Sequence, residues 1–355
     1  MLGKGLRIKM KNKKVSLAAG LGRKENIRKC LGLIIDDIRE IETKQHILIK
    51  PNLTATIGHA GANTALEALE AVLEFLYSNF PSMGSKEVVV ADGSGSAFYE
   101  KTSTEAVLKD MGYFELVKKY KNLKIEWLEN YPAAEYFPVE IRSIAGPEKV
   151  LVANRIKDFD YKISINLPKV HNYAIATFGI KNMLGFIRQE DKSLIHGLRT
   201  PSAPGAKSIF TYIPTSAIAW GRRHVPWLVN MVMKGSGTYL KAMKVIHHNV
   251  AQTAKHIWPD LVVIDAMYGM DGCGPVDGYL VELNAAAASA DALKADGVAA
   301  RLIGIEPEEV GYLTYLYKEG LGDYSLEGLV GDDPKKIAKR FHRHPTYHIQ
   351  CHWKD

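Results

Sequence analysis

Four short apolar runs, each stopped by a proline, a glycine or a polar turn, constrain this chain more than any other feature. They are Lys50's run HILIK (His46 to Lys50, before Pro51), Lys86 to Ala91 (KEVVVA, before Asp92-Gly93), Ile163 to Leu167 (ISINL, before Pro168) and Leu261 to Ala266 (LVVIDA). Brief continuous β-branched runs are the pattern of strands buried on both faces of a parallel sheet. A proline cannot continue a sheet ladder, so Pro51 and Pro168 mark strand carboxyl ends. Between the runs lie helical spacings. Asn26 to Ile41 carries Ile27, Leu31, Ile34, Ile35 and Ile38, and a helix opened by Thr64 carries Leu66, Leu69, Leu73, Leu76 and Phe80. Thr64 with Glu67 reads as a capping box. The alternation predicts an α/β fold: a central, mostly parallel β-sheet flanked by helices.

The remaining stretches fill this outline. Val15 to Gly20 reads as a first strand and Lys124 to Leu128 as another. FPVEIRS and KVLVA around Gly146-Pro147 read as a hairpin. Leu283 to Ala290 is a strand of small residues, followed by helices at Asp291 to Ile303 and Glu308 to Lys318 and a last strand within Tyr324 to Val330. With 355 residues the chain fits one domain, expected over 1–340, with a basic His-rich tail at 341–355 expected to be partly mobile.

Charge is unevenly spread. The net charge is +7, yet from Lys192 to Trp258 there is no Asp or Glu. That stretch holds nine Lys and Arg, among them Arg199, Arg222, Arg223 and Lys255, and five His. A single-sign field of this kind suits an anionic partner. We read it as a basic insertion or lid over about 199–258, starting in a Pro/Gly/Ser-rich loop and ending in a helix, Tyr239 to His256, with lysines and histidines on its polar face. No apolar run approaches the roughly 20 residues of a membrane span. The basic start lacks the apolar stretch of a secretory signal. Cys30, Cys273 and Cys351 lie far apart, so a cytoplasmic protein with reduced thiols and no iron–sulfur cluster is expected.

Polar groups at strand carboxyl ends locate a site, because open α/β sheets bind ligands at that edge. Lys50 and Asn52 follow the first run, and Lys169 and His171 follow Pro168. A short helix then carries Lys181 and Asn182. Lys50, Lys169 and Lys181 are candidates to surround an anion, with Asn52, Ser94 and Asn182 beside them, and Lys169 is also a candidate base or nucleophile. His171 and His196 are candidate acid–base groups. Asp92 and Asp265 end buried strands and are candidate ligands for Mg²⁺ or another divalent ion. Gly272 and Gly274 would let backbone approach a ligand. Asp271, Asp291 and Asp296, the last carried within the helix Asp291 to Ile303, rank behind Asp92 and Asp265, since capping is the commonest fate of such aspartates.

In order along the chain, IKPNL, VVADGSG, INLPKVH, GIKNMLGFI, His196, VVIDAMYGMDGCGP, ADALKADGVAARLIG and GLGD resemble the uncharacterised family called domain of unknown function 362. The resemblance spans roughly residues 14 to 330. It implies little about activity. Some members carry an attached ferredoxin module, whose cluster-binding cysteines are absent from this sequence. The long basic segment looks like an expansion between the family's motifs.

The reading that results is a cytoplasmic enzyme acting on a small phosphorylated or carboxylated molecule, with a divalent metal as an option. The alternatives are a nucleic-acid-binding protein using Arg199 to Lys255, or a peripheral protein on anionic membranes. Reaction, substrate and oligomeric state are not legible in the residues.

Overall fold

The computed structural model describes residues 13–58, 60–97, 102–132, 134–197, 220–221, 224–225, 227–228 and 237–355. The loop expected over Thr200 to Pro214 lies outside them, as does most of the apolar stretch His224 to Met233.

The four apolar runs form the middle of one sheet. They are β2 (His46–Lys50), β3 (Glu87–Asp92), β7 (Tyr161–Asn166) and β10 (Leu261–Asp271). With β1 (Val15–Ala19), β4 (Leu123–Trp127), β11 (Tyr279–Ser289) and β12 (Leu329–Gly331), the order is β12-β1-β11-β10-β7-β2-β3-β4. On this path only β11 runs antiparallel to its neighbours, pairing Leu17 with Ala287 and Ile264 with Ala287. Its small residues, Ala285 to Ala288, are fully buried between the two flanking layers. β5 (Tyr136–Ser143) and β6 (Gly146–Ala153) form the expected hairpin as a separate ribbon.

Side-chain alternation divides the core in two. Ile47, Ile49, Val88, Val90, Ile163, Ile165 and Val263 face one layer, with helices α1 (Arg23–Leu33), α2 (Leu66–Asn79) and α3 (Thr104–Asp110) on that side. Leu48, Val89, Val262, Ile264 and Ala287 face the other. There lie α4 (Gly179–Asn182), α5 (Gly237–Ala254), α6 (Ala292–Leu302) and α7 (Gly311–Lys318). Burying each Ile, Leu or Val contributes about 1.5–3 kcal/mol, which is why continuous apolar text settles in the sheet's centre.

Three expectations are corrected. Thr64 does not cap α2; Ala65 stands at that cap, and the Thr64 hydroxyl accepts from Asn52 N–H (2.8 Å) and donates to Ile165 O (3.0 Å). It ties the end of β2 to β7. Helix α5 is part of the core: Ala242, Met243, Ile246, His247 and Val250 are buried, so His247 is not on a polar face, while Lys241 and Lys244 are exposed. The tail docks instead of trailing, with Phe341, His344, Ile349, Gln350 and Trp353 buried and a short helix α8 (Tyr347–Gln350) beside α5.

Candidate functional site

Parallel strands place their carboxyl ends together, and here a cleft of about 410 Å³ opens at that edge. Lys50, Asn52, Asp92, His171, Thr177, Lys181, Asn182, Lys192, His196 and Gly274 line it, with Tyr173, Gly185, Ser193 and Asp277.

Its floor is a closed polar network. Lys50, 1% exposed, sits 2.5 Å from Asp92 Oδ1 and donates to Pro51 O and Asn182 Oδ1. Asp92 also accepts from Gly93 N–H and Leu53 N–H. Asn182 Oδ1 accepts from Asn52 Nδ2 at 3.0 Å, and Asn182 Nδ2 donates to Ser164 Oγ at 2.9 Å. Lys169 donates to Asn52 Oδ1 (2.6 Å), Thr54 Oγ1 (3.0 Å) and Ala62 O (2.9 Å). Three acceptors match the three protons of an ammonium, although burial, and after it the charges of Lys181 and Lys50, pushes the Lys169 pKa well down. Gly185 seals the floor: a Cβ there would stand 2.0 Å from Asp92 Oδ1 and 2.7 Å from Lys50 Nζ.

The walls carry groups with unused capacity. α4 begins at Gly179, where a Cβ would meet Val262 Cγ1 at 2.2 Å, so only glycine lets this helix lie against β10. Asp296 accepts from Gly179 N–H (2.8 Å) and Ile180 N–H (3.0 Å), anchoring α4 from α6. Burial raises its pKa to about 8, against which these two hydrogen bonds pull. Lys181, partly accessible from the cleft, has no hydrogen-bond or ion-pair partner among the described residues, and burial lowers its pKa to about 8. Lys192 donates to Gly93 O (2.7 Å) and Ser94 O (3.3 Å), and burial likewise lowers it to about 8.

His171 lies at the end of β8 (Lys169–His171), which turns into β9 (Ile175–Thr177). Its Nδ1 accepts from Tyr173 N–H (2.9 Å) and Ala174 N–H (3.1 Å). A ring nitrogen that accepts carries no proton, so the neutral ring carries its proton on Nε2. His196 stacks on it, with centroids 5.9 Å apart. Burial, with the Lys181 charge next, pushes His171 well down and His196 to about 3, so both rings are neutral at physiological pH. The turn is held from the tail: Gln350 accepts from Ile175 N–H (3.0 Å) and donates to His171 O (3.1 Å). Ile175 needs this support, since its φ of +65° is costly for a β-branched residue.

Several sequence candidates are placed differently. Lys169 is near the cleft but beneath it, with its donors used. Asp265 lies outside the cleft lining and pairs with Arg23 at 3.0 Å. Among the described residues, no group of three or more His, Cys, Asp or Glu is placed to hold a metal ion. Ser94 is buried outside the cleft lining. Gly272 serves a turn at φ +70°, donating to His342 O, and Gly274 approaches Val170 O, where a Cβ would stand at 2.0 Å. Lys192, Thr177, Asp296, Gly185 and Gln350 were not singled out for the site by sequence. Lys192 opens the acid-free segment and Gly185 lies within GIKNMLGFI, so both were within reach; Gln350 offered no signal.

No curated protein matches the chain. Seven chains of solved structures do, among them the lactate racemase apoprotein from Thermoanaerobacterium thermosaccharolyticum. It is 12% identical with a TM-score of 0.42, and the match covers 80% of this chain but 55% of that one, about half its length. At that level the likeness gives no argument about ligand or reaction. The family model for a domain of unknown function, DUF362, matches residues 47–301, which is more than half of the chain. The chain belongs to the DUF362 family.

Proposed function

We propose that this cleft is the active site of an enzyme acting on a small anionic molecule, phosphorylated or carboxylated. The observation that carries the reading is Lys181, a cation facing a cleft with no partner among the described residues. Lys192 adds a second positive charge, while the Asp92 charge is taken up by Lys50. A partly buried cation without a countercharge is costly, and a bound anion removes that cost. The cleft's size suits a small metabolite. In this reading Lys181 and Lys192 hold the anion, and Lys50, Asn52, Asn182 and Lys169 keep the floor rigid. His196 and His171, both neutral, exchange hydrogen bonds or protons with the reacting group. A divalent ion has only Asp92 of the two candidate aspartates at the cleft, so no step runs through a metal. We place the protein in the cytoplasm as part of this reading, which three cysteines far apart in the sequence, Cys30, Cys273 and Cys351, support.

No helix of the described residues is long and apolar enough to cross a membrane. Of the segment Arg199 to Lys255, proposed for nucleic acid, 199–219 lie outside the described residues and α5 belongs to the core. Thermal unfolding with phosphate, pyrophosphate and dicarboxylates tests the enzyme reading. An anion at 100 times its Kd should stabilise by about 2.7 kcal/mol, and Lys181→Met with Lys192→Met should remove that shift. Anions that leave the protein unchanged, or a shift that survives both changes, would contradict it. Steep salt dependence with RNA or DNA in their place would favour the nucleic-acid alternative.

A further inference from the structure

Holding an anion does not by itself account for the surroundings of Lys181. Lysines that only bind anions gain by staying charged. Here Asp92, a cleft carboxylate, is committed to Lys50, and no carboxylate among the described residues pairs with Lys181. Burial favours the free amine, and Lys181 in turn is the foremost charge acting on Lys169, His171 and His196. The helix under it is fixed by two hydrogen bonds to Asp296, so the side chain rises from a defined point.

Hydrogen-bond donors share the cleft with this amine. Backbone N–H groups occupy Nδ1 of His171, so Nε2–H is the polar edge the ring has left for the cleft. Thr177 lines the same space, 4% exposed, and its hydroxyl has no hydrogen-bond partner among the described residues. A buried hydroxyl is seldom left unsatisfied, and a ligand oxygen is a suitable partner. An amine lone pair beside N–H and O–H donors matches the two ends of one functional group. A carbonyl offers its carbon to the amine and its oxygen to the donors.

We propose that Lys181 is a nucleophile that forms an imine with a small anionic carbonyl compound, an aldehyde or 2-oxo acid, whose oxygen is held by His171 Nε2–H and Thr177. This rests on the proposed reading of the cleft as an anion site, with Lys192 taking the acid group. The chemistry balances without any redox partner. The Nζ lone pair forms the C–N bond while the carbonyl π pair moves to oxygen. That oxygen then leaves as water, taking the two hydrogens of the amine, and a C=N bond remains.

The test is reductive trapping. The folded full-length protein is incubated with glyoxylate and sodium cyanoborohydride, which reduces an imine to a stable secondary amine, and the modified peptides are mapped by mass spectrometry. Lys181 should be modified about tenfold to a hundredfold faster than exposed Lys241 and Lys244, because burial favours its free amine and the cleft holds the carbonyl against it. Lys181→Arg, which keeps the charge, should lose the site-specific adduct, and inorganic phosphate should slow its formation in the unaltered protein. Acetaldehyde, lacking the acid group, should react more slowly at Lys181 than glyoxylate. An adduct spread over exposed lysines with Lys181 untouched would overturn the imine. If phosphate still stabilised the protein in that case, the anion site would stand without it. Trapping at Lys181 that ignored phosphate and favoured acetaldehyde would overturn the anionic substrate class and the reading beneath it.

Discussion

The floor and the walls of the cleft are made from the same residue types, yet Lys181 and Thr177 in the walls stand in the opposite state to Lys50 and Lys169 in the floor. Below, Lys50 and Lys169 each find three oxygens, and Asn52 and Asn182 join them into one network. Above, Lys181 has no partner among the described residues, and Thr177 is buried with its hydroxyl unpaired. A satisfied buried network stiffens a site, whereas unsatisfied groups are tolerated where a ligand can complete them. The two sets also respond differently to mutation: loss from the floor should damage folding, and loss from the walls should damage binding.

The largest expected effect is at the floor. Lys50→Met leaves Asp92 buried without its countercharge and should cost about 3–5 kcal/mol. Denaturant unfolding measures this, and adding Asp92→Asn should recover part of the loss. Gly185→Ala comes next. Its Cβ would collide with the Lys50–Asp92 pair, and overpacking of this kind costs about 1–3 kcal/mol. Gln350→Leu should cost a comparable amount, about 1–3 kcal/mol, by leaving Ile175 N–H and His171 O unpaired. It should also change the His171 ring signals in ¹⁵N NMR, which a change elsewhere in the tail should not.

pH sharpens the comparison further. His196 and His247 are each pushed from 6.5 to about 3 by burial, so the fold favours their neutral forms. Their contribution is complete above pH 6.5 and is lost as pH falls towards 3, because the unfolded chain binds protons there that the folded chain does not. Unfolding free energy measured across that range should decline steadily, and His247→Leu should reduce the slope. The smallest effect belongs to the wall: Lys181→Met should change stability by less than about 1 kcal/mol, since no partner is left behind.

Much of this was legible in the residues. HILIK, EVVVA and LVVIDA marked central strands because continuous β-branched text has few other places to go. The same runs put Lys50, Asn52, Lys169 and His171 at one edge, which the parallel registers of β7 with β2 and of β7 and β8 with β10 place together. Which lysine faces the ligand was not legible. Lys169 and Lys181 look alike in sequence, and the difference lies in partners supplied by Thr54 and Ala62 for one and by no described residue for the other. That Asp265 stands outside the cleft lining was not legible either, because Arg23, a distant residue, pairs with it. The tail read as mobile because its charge hid Ile349, Gln350 and Trp353, whose pockets are formed by other elements.

Competitive lysine labelling of the native protein tests the central contrast most directly. With trace acetic anhydride near pH 8 and peptide mass spectrometry, each lysine reports its accessibility and free-amine fraction. Lys181 should be acetylated early, while Lys50 and Lys169 should react only as fast as the protein unfolds. Equal early labelling of Lys169 and Lys181, or protection of Lys181 alongside Lys50, would contradict the division between a closed floor and an open, reactive wall.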